Sequence, residues 1–178
     1  LFSDLDIAYE YDDKYNRERA KDINYLSSLF FQGTIEKAKS LTQGAGDIVI
    51  ASPMHMGIPN VIDSLIIVKQ FVFDEKITTM KELISAVQSN WEGYEDMRID
   101  AMNCHGWGDG SKEASEFCGK FNDDLYAKIS TLVGTYGGKI VMGHTTYTEI
   151  RFWGDKTLAT PDGRFNGDYI AQGISPSR

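Results

Sequence analysis

The chain has 178 residues, 42% of them hydrophobic, with 26 acidic against 18 basic side chains and a net charge of −8. That length suits one domain with a sizeable core, and the composition is globular rather than disordered. The negative balance excludes a general affinity for nucleic acid or an anionic membrane surface. The longest apolar run, Ile62 to Val72, is broken by Asp63, Ser64, Lys69 and Gln70, too short and too polar to span a bilayer.

In chain order, Leu1, Leu5, Ala8, Tyr11 and Tyr15 recur at helical spacing, with charges filling the other face through Arg19. A second helix is expected from Tyr25 to Ser40 with Leu26, Leu29 and Phe30 inward. Gly33 interrupts it at some cost, where another backbone approaches closely. After Gly44-Ala45-Gly46, the run Asp47-Ile48-Val49-Ile50-Ala51-Ser52 reads as a buried strand. Gly57-Ile58-Pro59-Asn60 turns it into a helix, since a proline costs nothing in a first turn. That helix is apolar nearly all round from Val61 to Val72 and so is expected to be buried on most sides.

Thr79-Met80-Lys81-Glu82 has the spacing of a capping box, opening a helix with the stripe Met80, Leu83, Ile84, Val87 and Trp91. A short helical piece ends near Asn103. The loop from Cys104 to Gly110 holds three glycines, enough to prevent regular structure. Ala114, Phe117, Cys118, Phe121, Leu125 and Ile129 then share one face of a further helix. Lys139 to Met142 and Thr145 to Phe152 read as extended, and the tail from Thr160, rich in Gly, Asp, Ser and Pro, as loop. Pro161-Asp162-Gly163 has the residue types of a tight turn, with Arg164 placed to pair with a carboxylate. No repeat or linker divides the chain.

Two cysteines without a Cys-x-x-Cys spacing read as reduced thiols, and Cys118, inside an apolar stripe, reads as core. The histidines His55, His105 and His144 are scattered, and Cys104-His105 without further ligands makes no metal site. Asp47 to Asp63 is similar to the third strand and loop of flavodoxin-like FMN reductases, and open α/β sheets bind ligands beyond the carboxyl ends of their strands. Residues 1–40 nevertheless read as helical and lack the phosphate-cradling loop such a domain needs. An FMN-dependent reductase and a non-catalytic domain stand as the alternatives to the reading below.

Thr160-Pro161-Asp162-Gly163-Arg164, followed by Gly173-Ile174-Ser175-Pro176, resembles a signature of glycyl radical enzymes, the family of pyruvate formate-lyase and related dehydratases and decarboxylases. Three further words resemble the same family in the expected order. They are Leu29-Phe30-Phe31-Gln32-Gly33-Thr34-Ile35-Glu36-Lys37-Ala38-Lys39, Gly57-Ile58-Pro59-Asn60-Val61-Ile62-Asp63-Ser64-Leu65 with Val72-Phe73-Asp74-Glu75-Lys76, and Asn90-Trp91-Glu92-Gly93-Tyr94-Glu95-Asp96-Met97-Arg98. Thr34 and Ala38 replace the usual Cys and Gly of the first word. The stretches Cys104 to Gly110 and Val49 to Met56 depart from the common pattern and point to an unusual subgroup.

The resemblance implies an α/β fold, the late portion of the ten-stranded α/β barrel of glycyl radical enzymes, helix-rich with a few buried strands. Residues 1–178 would be a partial pyruvate formate-lyase-type domain lacking the upstream catalytic Cys loop and the downstream glycyl radical domain. An opening at Leu1 without methionine agrees with a fragment. It implies radical C–C or C–X cleavage of a small polar substrate by a dehydratase, decarboxylase or formate C-acetyltransferase, with the fragment inactive alone. The intact enzyme would carry a glycyl radical, with no cofactor on this segment, and work in an anaerobe's cytoplasm. It would be activated by a radical S-adenosylmethionine enzyme and form a homodimer, without nucleic acid or membrane partners. No catalytic or metal residue is assigned here. Ser52, Met54 and His55 are the candidate substrate-pocket residues, with His55 able to transfer a proton or hydrogen-bond a substrate carboxylate or hydroxyl.

Overall fold

A computed structural model describes residues 2–144 and 148–177. The chain forms two compact units, Leu1–Pro53 with Asp123–Gly143, and Met54–Asn122 with His144–Arg178.

The first unit opens with α1 (Phe2–Arg19), as the spacing predicts. Its charges pair along the helix, with Lys14 donating to Glu10 and Arg17 to Asp13, both at 2.7 Å, contacts that solvent screening keeps weak on an exposed face. The buried face differs from the one expected. Tyr11 and Tyr15 are 70% and 61% exposed, while Leu5, Tyr9, Asp13 and Asn16 are half-buried. Leu1 lies outside the described residues.

The helix expected over residues 25–40 shrinks to α2 (Tyr25–Ser28), and Leu26, Leu29 and Phe30 face solvent. Gly33 supplies the reason. Its φ is +89°, and a Cβ there would stand 2.6 Å from Asp47 Oδ1 and 2.9 Å from the Ala45 carbonyl. The close approach anticipated at Gly33 is present, but it ends helical structure instead of merely denting it. The expected strand shrinks similarly, to β1 (Ile50–Ala51), followed by β2 (Met54–His55). β1 pairs in parallel with β3 (Lys139–Ile140), Ile50 opposite Lys139 and Ala51 opposite Ile140. With one neighbour only, Ile48 and Ile50 stay 80% and 57% exposed. The next short strand is β4 (Gly143–His144).

The second unit carries the larger core. Gly57, left-handed at φ +70°, and Pro59 in the first turn start α3 (Ile58–Val68). No residue from Gly57 to Val68 is exposed, as an all-round apolar helix requires. The helix widens into a π turn over Lys69–Asp74. In α4 (Met80–Gln88), Thr79 Oγ1 accepts the Glu82 N–H at 3.2 Å, but the reciprocal half of the box is missing. The Glu82 carboxylate accepts instead from the Thr78 hydroxyl at 2.9 Å. Leu83, Ala86 and Trp91 turn inward, joining Ile67, Phe71, Ala159 and, from α5 (Glu95–Asn103), Ala101. Met80 and Ile84 face solvent.

The stripe predicted for α6 (Lys112–Ser130) holds. Ala114, Cys118, Phe121, Leu125 and Ile129 are buried and Phe117 half-buried. The extended segment expected over Thr145–Phe152 does not: Thr145–Tyr147 lie outside the described residues, and α7 (Ile150–Lys156) is helical. Tertiary packing overrides the β-favouring side chains here, since a Cβ on Gly154 would lie 2.4 Å from the Asp168 carbonyl.

The tail from Thr160 is irregular, as expected, yet Asp162, Gly163 and Arg164 are buried. Its polar groups cannot use a helix or ladder, so side chains from the helices satisfy them. Asn60 Nδ2 donates to Asp162 Oδ2 at 2.6 Å while Asn60 Oδ1 accepts the Ala171 N–H at 2.6 Å. Asp63, fully buried, accepts the Trp107 N–H at 2.6 Å and the Ser177 hydroxyl. Arg98 Nε donates to the Gly163 carbonyl at 2.7 Å, and its guanidinium lies 3.8 Å over the Phe165 ring. Arg164 forms no ion pair at contact distance among the described residues, though the Asp162 and Asp168 carboxylates attract it. It donates to the backbone carbonyls of Asp168 at 2.6 Å, Thr157 at 3.0 Å and Leu158.

Replacing Asn60 by Ala leaves the Ala171 N–H without its acceptor and Asp162 Oδ2 without its donor, while Asp162 Oδ1 keeps the Thr160 hydroxyl. Urea unfolding is expected to show a loss of about 2–4 kcal/mol for Asn60→Ala; a loss below about 0.5 kcal/mol, the range of ordinary surface substitutions, contradicts this role for Asn60.

Candidate functional site

The three pocket residues follow from one local feature, the step from β1 through Pro53 and β2 into the Gly57 turn. Ser52 is exposed and lines a cavity of about 430 Å³ in the first unit. A Cβ on Gly143 would come 3.1 Å from its hydroxyl, so the glycine leaves that oxygen room. Met54 and His55 do not line this cavity. Met54 is 58% exposed.

His55 is the chemically distinctive member. Its ring is partly buried, and its Nδ1 is enclosed with no hydrogen-bond partner among the described residues. The His144 ring on β4 stands 6.4 Å away, tilted by 51°. Burial first, and the nearby His144 second, push the His55 pKa below its usual value. A neutral imidazole with a free, enclosed nitrogen can accept or relay a proton without first giving up a bond.

His144 was legible only as a scattered histidine, because nothing in the sequence brings it to His55. Asn60 and Asp63 did leave a trace, as polar residues on a helix otherwise apolar all round. Asp12 and Arg19, which line the cavity beside Ser52, read in the sequence as a solvated helix face. Among the described residues no group of three His, Cys, Asp or Glu side chains is placed to hold a metal ion. Both cysteines are free thiols. Burial, with the Asp63 and Asp109 carboxylates adding to it, pushes the Cys118 thiol up to about 11, the profile of a core cysteine rather than a nucleophile.

Residues 5–152 match the pyruvate formate lyase-like family, and the chain belongs to that family of glycyl radical enzymes. It is 31% identical over 134 residues to the isethionate sulfite-lyase of Desulfovibrio desulfuricans, covering 69% of this chain and 15% of that protein. It is 27% identical over 154 residues to the trans-4-hydroxy-L-proline dehydratase of Clostridioides difficile, covering 86% of this chain and 20% of that protein. The crystal structure of the Clostridioides difficile hydroxyproline dehydratase with its substrate bound matches with a TM-score of 0.88 and 27% identity, over 97% of this chain and 22% of that one. The glycerol-bound B12-independent glycerol dehydratase of Clostridium butyricum matches with a TM-score of 0.75 and 29% identity, over 83% and 19%. The expected fold class, a portion of the glycyl radical enzyme α/β barrel, is therefore the one this chain has. The chain spans 15% to 22% of the length of these relatives. No helix among the described residues is long and apolar enough to cross a membrane.

Two measurements probe these groups. Thiol labelling near neutral pH is expected to modify Cys104, which is partly accessible, and to leave Cys118 untouched until the chain unfolds; equal rates for both contradict the burial assigned to Cys118. For His55 the folded pKa lies below the unfolded 6.5, so its neutral form stabilises nothing extra at higher pH but resists protonation below it. As pH falls below about 6.5 the unfolded chain takes up a proton that the folded chain refuses, and stability drops. His55→Gln is expected to flatten that drop in urea melts between about pH 7.5 and 5.5, and an unchanged slope rejects the buried neutral ring.

Proposed function

We propose that this chain is one segment of a glycyl radical enzyme that cleaves a C–C or C–X bond in a small polar substrate. The family match over residues 5–152 carries the reading. The named relatives, a sulfite-lyase and dehydratases of hydroxyproline and glycerol, support a lyase or dehydratase. The departures at Val49 to Met56 and Cys104 to Gly110 favour a dehydratase or decarboxylase over pyruvate formate-lyase itself. In this reading the catalytic cysteine and radical glycine belong to other segments of a longer polypeptide. An iron–sulfur activating enzyme using S-adenosylmethionine installs the radical in an anaerobe's cytoplasm, and the whole enzyme is a homodimer. The glycyl radical supplies hydrogen abstraction from the substrate.

This chain's own contribution is positioning and proton handling. Ser52 and Met54 form part of the pocket wall. His55, neutral and with Nδ1 unengaged, accepts a proton from a substrate hydroxyl or returns one to a leaving group.

The decisive experiment is anaerobic activation of the polypeptide that carries this chain by such an activating enzyme, followed by electron paramagnetic resonance. A glycyl radical signal from the long polypeptide, and none from residues 1–178 alone, is expected. A radical or turnover from residues 1–178 alone, or flavin absorbance in the purified protein, defeats the reading. Within the active enzyme, His55→Gln is expected to lower kcat about 100-fold, the scale of one general acid–base group, with the radical yield unchanged.

A further inference from the structure

His55 and His144, both in the second unit, are two imidazoles that the fold brings together without giving them anything to bind. His55 stands on β2 and His144 on β4, with ring centroids 6.4 Å apart. Among the described residues no hydrogen bond or ion pair engages either ring, and His55 Nδ1 is enclosed without a partner. Enclosed ring nitrogens are normally satisfied by protein or water, so this one is an unspent ligand. His144 is exposed, and its broad χ2 well lets either nitrogen turn toward His55 with little movement of the ring centroid.

The separation identifies the coordination that this pair suits. With metal–nitrogen bonds of about 2 Å, a straight nitrogen–metal–nitrogen line sets two imidazole centroids about 6.3 Å apart, whereas a tetrahedral angle draws them to about 5 Å. The observed 6.4 Å matches the straight line. The 51° tilt between the rings is no obstacle, because each ring on such a line can rotate about its own metal–nitrogen bond. Linear two-coordination is the habit of closed-shell monovalent ions such as Cu(I), and it needs no third ligand. Zn(II) takes four ligands, and among the described residues no group of even three His, Cys, Asp or Glu side chains is assembled. Met54 and Met56, on either side of His55 in the chain, carry thioethers, the ligand class that selects Cu(I).

We propose that His55 and His144 form a two-coordinate site for a soft monovalent cation, Cu(I). One imidazole nitrogen from each ring is the ligand, and the methionines beside His55 make the surroundings congenial to a soft ion. The site goes beyond the proposed function, since it concerns equilibrium binding and requires neither radical nor substrate; the two share only His55.

The test is an anaerobic titration with Cu(I), against a bathocuproine competitor, of the polypeptide that carries this chain, unactivated and with its accessible thiols alkylated. X-ray absorption at the copper edge, with one equivalent loaded, is expected to show two nitrogen neighbours at about 2 Å and no third ligand. His55→Gln and His144→Gln are each expected to weaken binding about tenfold or more, as loss of one of two ligands requires. Zn(II) in about tenfold excess should leave the copper in place. Circular dichroism matching the parent separates a lost ligand from a lost fold, and His144→Gln, at an exposed ring, carries the test if His55→Gln unfolds. The proposal is overturned if either folded variant binds Cu(I) like the parent, if the copper shell contains sulfur or more than two ligands, or if Zn(II) displaces it. None of these titrations involves activation, so their failure leaves the proposed function standing, and absence of a glycyl radical leaves the metal site standing.

Discussion

The second unit depends on how the start of α3 holds a tail that has no secondary structure of its own. Asn60 uses both ends of its carboxamide there, donating to the Asp162 carboxylate and accepting from the Ala171 amide. Chemistry leaves few substitutes at this position. Asp would set two carboxylates against each other, and Leu would leave a buried N–H unpaired and the Asp162 carboxylate one donor short. One turn later Asp63 divides its two oxygens between the Trp107 amide and the Ser177 hydroxyl. Two neighbouring polar side chains thus set the course of the tail and of the 104–110 loop together. Trp107 closes the arrangement by donating its indole N–H to the Ile174 carbonyl at 2.7 Å.

How much of this the sequence disclosed depends on whether an element finds its own partners. α6 was legible because its six-residue stripe is long enough to specify one face, and that face is buried. α3 was legible because Gly57 and Pro59 mark its start unambiguously. The segment after Tyr25 was not, since Leu26, Leu29 and Phe30 have helical spacing but face solvent. Periodicity states which residues would share a face; it does not supply the surface they pack on. The strands failed for the related reason that a buried strand needs two neighbours and β1 has one. On α1 the spacing predicts the helix but not its face, because Tyr11 and Tyr15 stay exposed while Asp13 and Asn16 sit deeper.

The candidate site was legible in part. Ser52, Met54 and His55 stand out as the exit from a strand into a Gly-Pro turn, a position the fold class favours for ligands. What makes His55 chemically notable, its enclosed nitrogen and the neighbouring His144 ring, arises from residues nearly ninety positions apart in sequence. Arg19 was hidden for a different reason. A basic residue in the last turn of a helix has an ordinary explanation, since it complements the dipole, and nothing in the sequence places it beside Ser52.

The same tail also accounts for an otherwise costly turn. Asn90 and Trp91 both adopt left-handed backbone, at φ +57° and +66°, which costs roughly 1–2 kcal/mol per residue outside glycine. Burying the Trp91 ring, 1% exposed, works against that strain, although its enclosed indole N–H finds no partner among the described residues. The geometry has a second consequence: it aims Asn90 Oδ1 at the tail, where it accepts the Asn166 N–H at 2.7 Å. Arg98, at the end of the same word, grips the Gly163 carbonyl. The words at Gly57 to Leu65, at Asn90 to Arg98 and at Thr160 to Arg164 are therefore parts of one hydrogen-bonded assembly. Each is weak alone because each supplies only one side of these contacts. Their joint appearance in one chain is informative because the first two words supply side-chain partners to buried polar groups of the third.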